Sequence, residues 1–259
     1  MTITDAQLQA WIQGALWPFL RIGGVIMVAP VFGGRTMPAR VRLLFVLALT
    51  MVLAPLLPKA PPLDSFTAKW WLRVAQEMVV GIAIGFLLQL AFEAIMLGGE
   101  LIGNGMGLGF ARLADPVRGT DAPVIGQFLQ VFTVMLFLAA GGHLRLIEVL
   151  ADSFRTVPDG GALLTTQTFY SLAAFASQTF AGALSVALPM VGALLLVNMA
   201  FGVMSRSSPT LNSMAVGFPL SLLAGLVLLR FNLPTVADVL ARQLNAVWQF
   251  IAAWTGSVH

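Results

Sequence analysis

Gly192–Leu229 reads GALLLVNMAFGVMSRSSPTLNSMAVGFPLSLLAGLVLL. Arg206 is the only charged residue in it, and stays so over the longer run from Gly160 to Leu229. The charge-free stretch before Arg206, Gly160–Ser205, has 46 residues, and the one after it, Ser207–Leu229, has 23. A helix that crosses a bilayer needs about 20 predominantly apolar residues. Both stretches reach that length. Pro209 biases Ser208 away from the helical region, so a turn must fall there. The reading is two long apolar helices joined by a polar turn that carries one cation.

The same pattern extends outward. Ala122–Gly142 is charge-free for 21 residues, Leu43–Pro58 for 16, Met78–Phe92 for 15 and Ile22–Gly34 for 13. The shorter runs span a membrane only if flanking charges are absorbed, which puts Arg21, Glu77 and Glu93 at or near depth. Such charges are costly and face protein or water. Six long helices follow, at about 7–33, 41–58, 70–105, 123–152, 168–204 and 213–231. A seventh, at about 235–255, is amphipathic. Val236, Val239, Leu240, Val247, Ile251 and Trp254 recur at helical spacing, with Asp238, Arg242, Asn245 and Gln249 on other faces. Such a helix lies on a membrane or on a partner. The fold class is all-α, a polytopic membrane-associated protein.

Composition agrees. The 259 residues are 58% hydrophobic and 10% charged, with a mean hydropathy of +0.90. A soluble domain of this size cannot bury so much apolar surface, and a disordered chain would be far more charged. Net charge is +3, with the cations scattered, which argues against nucleic acid. The absence of Cys removes disulfides and thiolate chemistry. Residues 1–9 contain Asp5 and no Lys or Arg, so no secretory signal peptide is expected there. Loop charges divide six against seven between the two sides of a six-span topology, so the positive-inside rule gives no orientation. Undersized spans and a balanced charge count also suit helices buried among partner subunits.

Three stretches could carry function. Gln89, Glu93 and Glu100 are spaced by four and seven, forming one polar stripe on a helix. Gly81 with Gly85, and Gly99 with Gly103, stand four apart and allow close helix approach. Gly103–Phe110 then alternates glycine with larger residues, which reads either as close packing with a flexible turn or as a movable loop carrying Met106, Leu108 and Phe110 as apolar stoppers. Next, Gly141-Gly142-His143 ends an apolar helix, where a lone His reads as packed or capping. Last, the Arg206 turn sits at a pore mouth or on a partner. No HExxH, GxSxG or carboxylate–base pairing occurs, so no enzyme chemistry, metal site or cofactor is expected.

In this order the motifs resemble the FliR family, the R subunit of the flagellar type III protein-export gate. They are Arg21 with Pro30-Val31-Phe32-Gly33, Pro38 and Val41-Arg42, then Glu100-Leu101-Ile102-Gly103 with Gly109-Phe110. Asp115-Pro116, Ile125-Gly126-Gln127-Phe128 and Gly141-Gly142-His143 follow, and then Gly202–Asn212 with Gly217-Phe218-Pro219-Leu220. The family more often has Ala and Gln at Ser208 and Thr210. The resemblance implies a non-enzymatic subunit packed with FliP-like and FliQ-like subunits into a hetero-oligomeric helical stack, in the bacterial inner membrane at the flagellar basal body. Residues 1–185 would be FliP-like and 186–259 a FliQ-like hairpin plus the amphipathic helix. The loop at about 106–122, with Met106, Leu108, Phe110, Asp115 and Pro116, would plug the channel. Arg206, Pro209 and Asn212 would stand at the cytoplasmic entrance beneath an FlhB-like switch protein. The cargo would be unfolded flagellar subunits. A virulence-secretion paralogue, or a stand-alone solute transporter or channel with Glu93 and Glu100 as its cation path, are the alternatives.

Overall fold

The computed structural model describes residues 5–33, 37–58, 64, 66–109, 124–157, 165–207 and 213–256. Among them there is no strand; almost all are helical. The helices are α1 (Asp5–Val28), α2 (Ala39–Leu53, prolonged by a 3₁₀ turn at Ala54–Leu56), α3 (Ala68–Gly105) and α4 (Val124–Ala139). They continue as α5 (Gly142–Thr156), α6 (Thr166–Phe175), α7 (Ser177–Ser207) and α8 (Ser213–Thr255). Five helical stretches are long and apolar enough to cross a membrane, or six if α4 and α5 count as one span.

Three boundaries differ from the sequence reading. The expected 123–152 helix breaks in two at Gly141, whose φ of 70° is the left-handed conformation glycine adopts freely. The expected 168–204 helix divides at Ala176, with Thr165 accepting the Thr168 backbone N–H at 3.1 Å to start α6. The two helices expected at 213–231 and 235–255 are one, 43 residues long, with Pro219 and Pro234 inside it. Proline is tolerated where neighbouring helices and side chains satisfy the freed backbone groups.

The amphipathic stripe also has a different destination. Val236, Val239, Leu240, Val247 and Ile251 are buried within the chain itself and not offered to a membrane or partner, while Asp238, Arg242, Asn245 and Gln249 are exposed as the pattern requires. The periodicity was read correctly; it cannot say what covers an apolar face.

The chain forms two compact units, interleaved in sequence. One comprises residues 1–90, 137–176 and 245–259; the other, 91–136 and 177–244. In the first, α1 lies backbone-to-backbone on α3. A Cβ added at Gly24 would stand 2.7 Å from the Met78 carbonyl oxygen, one at Gly85 2.7 Å from that of Val25, and one at Gly81 would overlap that of Arg21. Ile22, Val25, Ile84 and Leu88 fill the flanks of this crossing. In the second unit, Gly99 meets Gly126 of α4 and Gly98 meets Ala183 and Val186 of α7 in the same way. Glycines four apart thus mark the first crossing, as their spacing predicts, whereas in the second adjacent Gly98 and Gly99 each admit a different helix and Gly103 makes only ordinary contact with Ile125.

Candidate functional site

The glycine-rich stretch begins as the end of a helix. The Leu108 N–H donates to the Gly103 carbonyl and the Gly107 N–H to that of Asn104, both at 3.0 Å, with Gly107 at φ 87°. That pair of bonds around a left-handed glycine is a Schellman cap. Met106 closes the helix. It is 1% exposed, because Gly225 of α8 leaves room for it: a Cβ there would stand 2.5 to 2.8 Å from Met106 Cγ, Cε and Sδ. Met106 is therefore not the free stopper of the movable-loop reading but a packed residue. Leu108 is half-buried. Phe110, Asp115 and Pro116 lie outside the described residues.

Three polar contacts join α7 and α8. Gln243 Nε2 donates to the Gln178 carbonyl at 3.2 Å, Asn232 Nδ2 to that of Val186 at 3.1 Å, and Ser221 Oγ to Asn198 Oδ1 at 2.7 Å. As the α7 number rises the α8 number falls, so the helices form an antiparallel hairpin closing between Ser207 and Ser213. These contacts satisfy polar groups that apolar surroundings would otherwise leave unpaired. Asn198 has a second bond, from Nδ2 to the Gly105 carbonyl at 3.4 Å. Arg206 is exposed in the last turn of α7, where its charge suits the helix C-terminus. Pro209 and Asn212 lie outside the described residues.

Gln89, Glu93 and Glu100 do share α3, but they are half-buried, not buried, since no described residue covers their face fully. The Glu100 Cγ lies 3.3 Å from where a Gly126 Cβ would be. His143 is half-buried, and its Nδ1 has no hydrogen-bond partner among the described residues. The two glycines before it have distinct jobs: Gly141 supplies the left-handed turn and Gly142 admits the Phe137 ring, which a Cβ would overlap.

Arg21 and Glu77, expected at depth and facing protein or water, meet in a buried charge cluster that their spacing does not foretell. Arg21 and Glu77, both 0% exposed, pair at 2.7 Å through Nε and Oε2. Arg73 Nε lies 3.6 Å from Glu77 Oε1, and its guanidinium stands 4.7 Å over the Trp17 ring. The remaining Arg21 donors reach the α5 C-terminus. Nη1 donates to the Ser153 carbonyl at 2.8 Å and to its Oγ at 3.1 Å, and Nη2 to the Val157 carbonyl at 3.0 Å. Phe154 stacks under the guanidinium at 4.0 Å. One Arg thus ties α1, α3 and the end of α5 together, sharing the Ser153 carbonyl with the Val157 N–H and giving the Val157 carbonyl, just past the helix, a donor. The available signal was two opposite charges, each interrupting a different apolar stretch. Nothing in their spacing said that they meet.

With its side chains buried and its bonds spread over α1, α3 and the end of α5, the cluster acts as an anchor. Among the described residues, no group of three or more His, Cys, Asp or Glu is placed to hold a metal ion.

Comparison with known proteins gives the family. The model of "Bacterial export proteins, family 1" matches residues 12–247. The flagellar biosynthetic protein FliR of Escherichia coli (strain K12) is 36% identical over 253 residues, covering 97% of this chain and 96% of the relative. Its namesake from Pectobacterium carotovorum subsp. carotovorum is also 36% identical, over the same length. The Bacillus subtilis (strain 168) FliR is 28% identical over 214 residues, 82% of each chain. With the family model matching residues 12–247 and a relative 36% identical over nearly the whole of both chains, the chain belongs to the FliR family of bacterial export proteins.

Proposed function

We propose that this chain is a non-enzymatic core subunit of the flagellar type III protein export gate, forming the channel with FliP-like and FliQ-like subunits and closing it at rest. The observation that carries this is the 36% identity, over 97% of the chain, to proteins of flagellar biosynthesis. Helix lengths support it. At 1.5 Å per residue, 38 residues of α3 and 43 of α8 extend for about 57 and 64 Å. A bilayer hydrocarbon core is about 30 Å thick. Such helices need cover beyond the membrane, and packed neighbours provide it. Exposed Leu184, Leu188, Leu195, Met199 and Val203 run along α7 as a face fit for that packing.

In this reading residues 1–185 correspond to a FliP-like part and 186–259 to a FliQ-like hairpin with its extension. The segment from about 106 to 122 plugs the channel, and the Arg206 turn faces an FlhB-like switch protein at the cytoplasmic entrance. The complex sits in the inner membrane at the flagellar basal body and passes unfolded flagellar subunits. An apolar constriction blocks ions by excluding water and still yields to a chain.

Removing the chain from cells tests the role. Filament subunits should still be made but should no longer appear outside the cell, and restoring the chain should restore them. Undiminished export in its absence would contradict the proposal.

A further inference from the structure

The glycine-rich end of α3 and the α7–α8 hairpin stand apart in sequence, and contacts on α7 and α8 join them. Met106 sits in the space left by Gly225. Gly105 packs on Leu194 and Val191, where a Cβ would stand 3.4 and 3.7 Å away. Asn198 uses both ends of its amide, accepting from Ser221 and donating to the Gly105 carbonyl. The other two contacts between α7 and α8 stay within the hairpin.

We propose that the hairpin is the latch for the end of α3. Gly225 seats Met106, the Asn198–Ser221 pair holds Gly105, and displacing the hairpin frees Met106 and with it the cap that carries Leu108. Its consequence for sealing rests on the export-gate reading; its geometry does not.

Several features fit a latch better than a permanent core contact. Gly225 is a poor helix former in the interior of α8, and its lack of a side chain is what makes the seat. Gly192, on α7, meets nothing within 4 Å of its would-be Cβ, so glycine there has no such role. The Asn198 contact is long and Asn198 is exposed, so water competes for it and release is cheap. Met106 is unbranched and leaves or regains an irregular seat with little strain. Asn198 also lies eight residues before Arg206 on α7, about 12 Å along the axis. A partner bearing on the hairpin tip therefore acts on the latch through little more than two helical turns.

The absence of Cys from the chain makes the test clean. Leu108→Cys is introduced as a reporter, and labelling by a small maleimide is followed on this chain in the complex co-purified with its flagellar partners. Gly225→Ala improves helix propensity in α8 while occupying the seat. The double variant N198A/S221A loosens the other half without adding bulk. Gly192→Ala is the control. Both latch variants should label about tenfold faster than the parent, as expected when the locally open population rises tenfold. Cells carrying them should leak monovalent ions, and G192A should match the parent. Parental labelling in both latch variants would overturn the latch. If G225A fails to assemble, N198A/S221A decides alone by the same criterion. Faster labelling without an ion leak leaves the latch standing and counts against the export-gate reading.

Discussion

Arg21 is the residue whose environment is most fully specified. It has no exposure, one carboxylate partner, two backbone carbonyls and an aromatic ring beneath it. Removing one member of a buried ion pair leaves the other charge uncompensated, which costs about 3–5 kcal/mol. Arg21→Leu should therefore lower stability by that order, read as earlier loss of helicity on heating in detergent. Because Arg73 also faces Glu77, Arg21→Leu with Glu77→Gln should cost less than the sum of the two single changes, since the Arg21–Glu77 pair is lost only once. A double variant as unstable as the sum of both single ones would contradict the coupling. Gly141 offers a second test. With φ at 70° it holds a conformation that costs an L-residue about 1–2 kcal/mol. Gly141→Ala should lose stability of that order, although its Cβ would meet nothing within 4 Å.

Among the elements, glycine spacing was the most legible feature. Gly81 and Gly85 stand four apart in the sequence and mark the α1–α3 crossing in the structure. Gly81→Leu should force the helices apart and deplete the chain from membranes, whereas Gly192→Leu should leave its level unchanged; equal levels would show that the crossing tolerates separation. The end of α3 was less legible. Alternating glycines left close packing and a movable loop both open; Gly107 caps the helix and Met106 is packed. The deciding partner, Gly225, lies more than a hundred residues away, and a local pattern carries no such contact. Deleting Met106–Phe110 removes the cap, the seated Met106 and Leu108 at once. Cells with the deletion should leak monovalent ions while the complex still co-purifies; a tight membrane would refute a sealing role for this stretch. Helix breaks were missed at Gly141 and Ala176, and the one expected before Pro234 is absorbed into α8. A residue there can break a helix or be absorbed, according to what packs around it.

For the whole molecule, composition sufficed to place the chain among membrane-associated helical proteins, and the ordered motifs to suggest its family. Orientation stayed unreadable. Arg73, on the side that counts seven, is inside α3 and paired with Glu77; without it the loop charges divide six against six and still give no orientation. The apolar faces left exposed on α2, α4 and α7 and the lengths of α3 and α8 call for cover that the described residues do not supply. Native mass spectrometry of the chain co-expressed with its FliP-like and FliQ-like neighbours in mild detergent tests this most directly. One large complex holding this chain with several copies of two smaller membrane proteins is expected. A monomer or small homo-oligomer that captures neither would contradict the export-gate subunit.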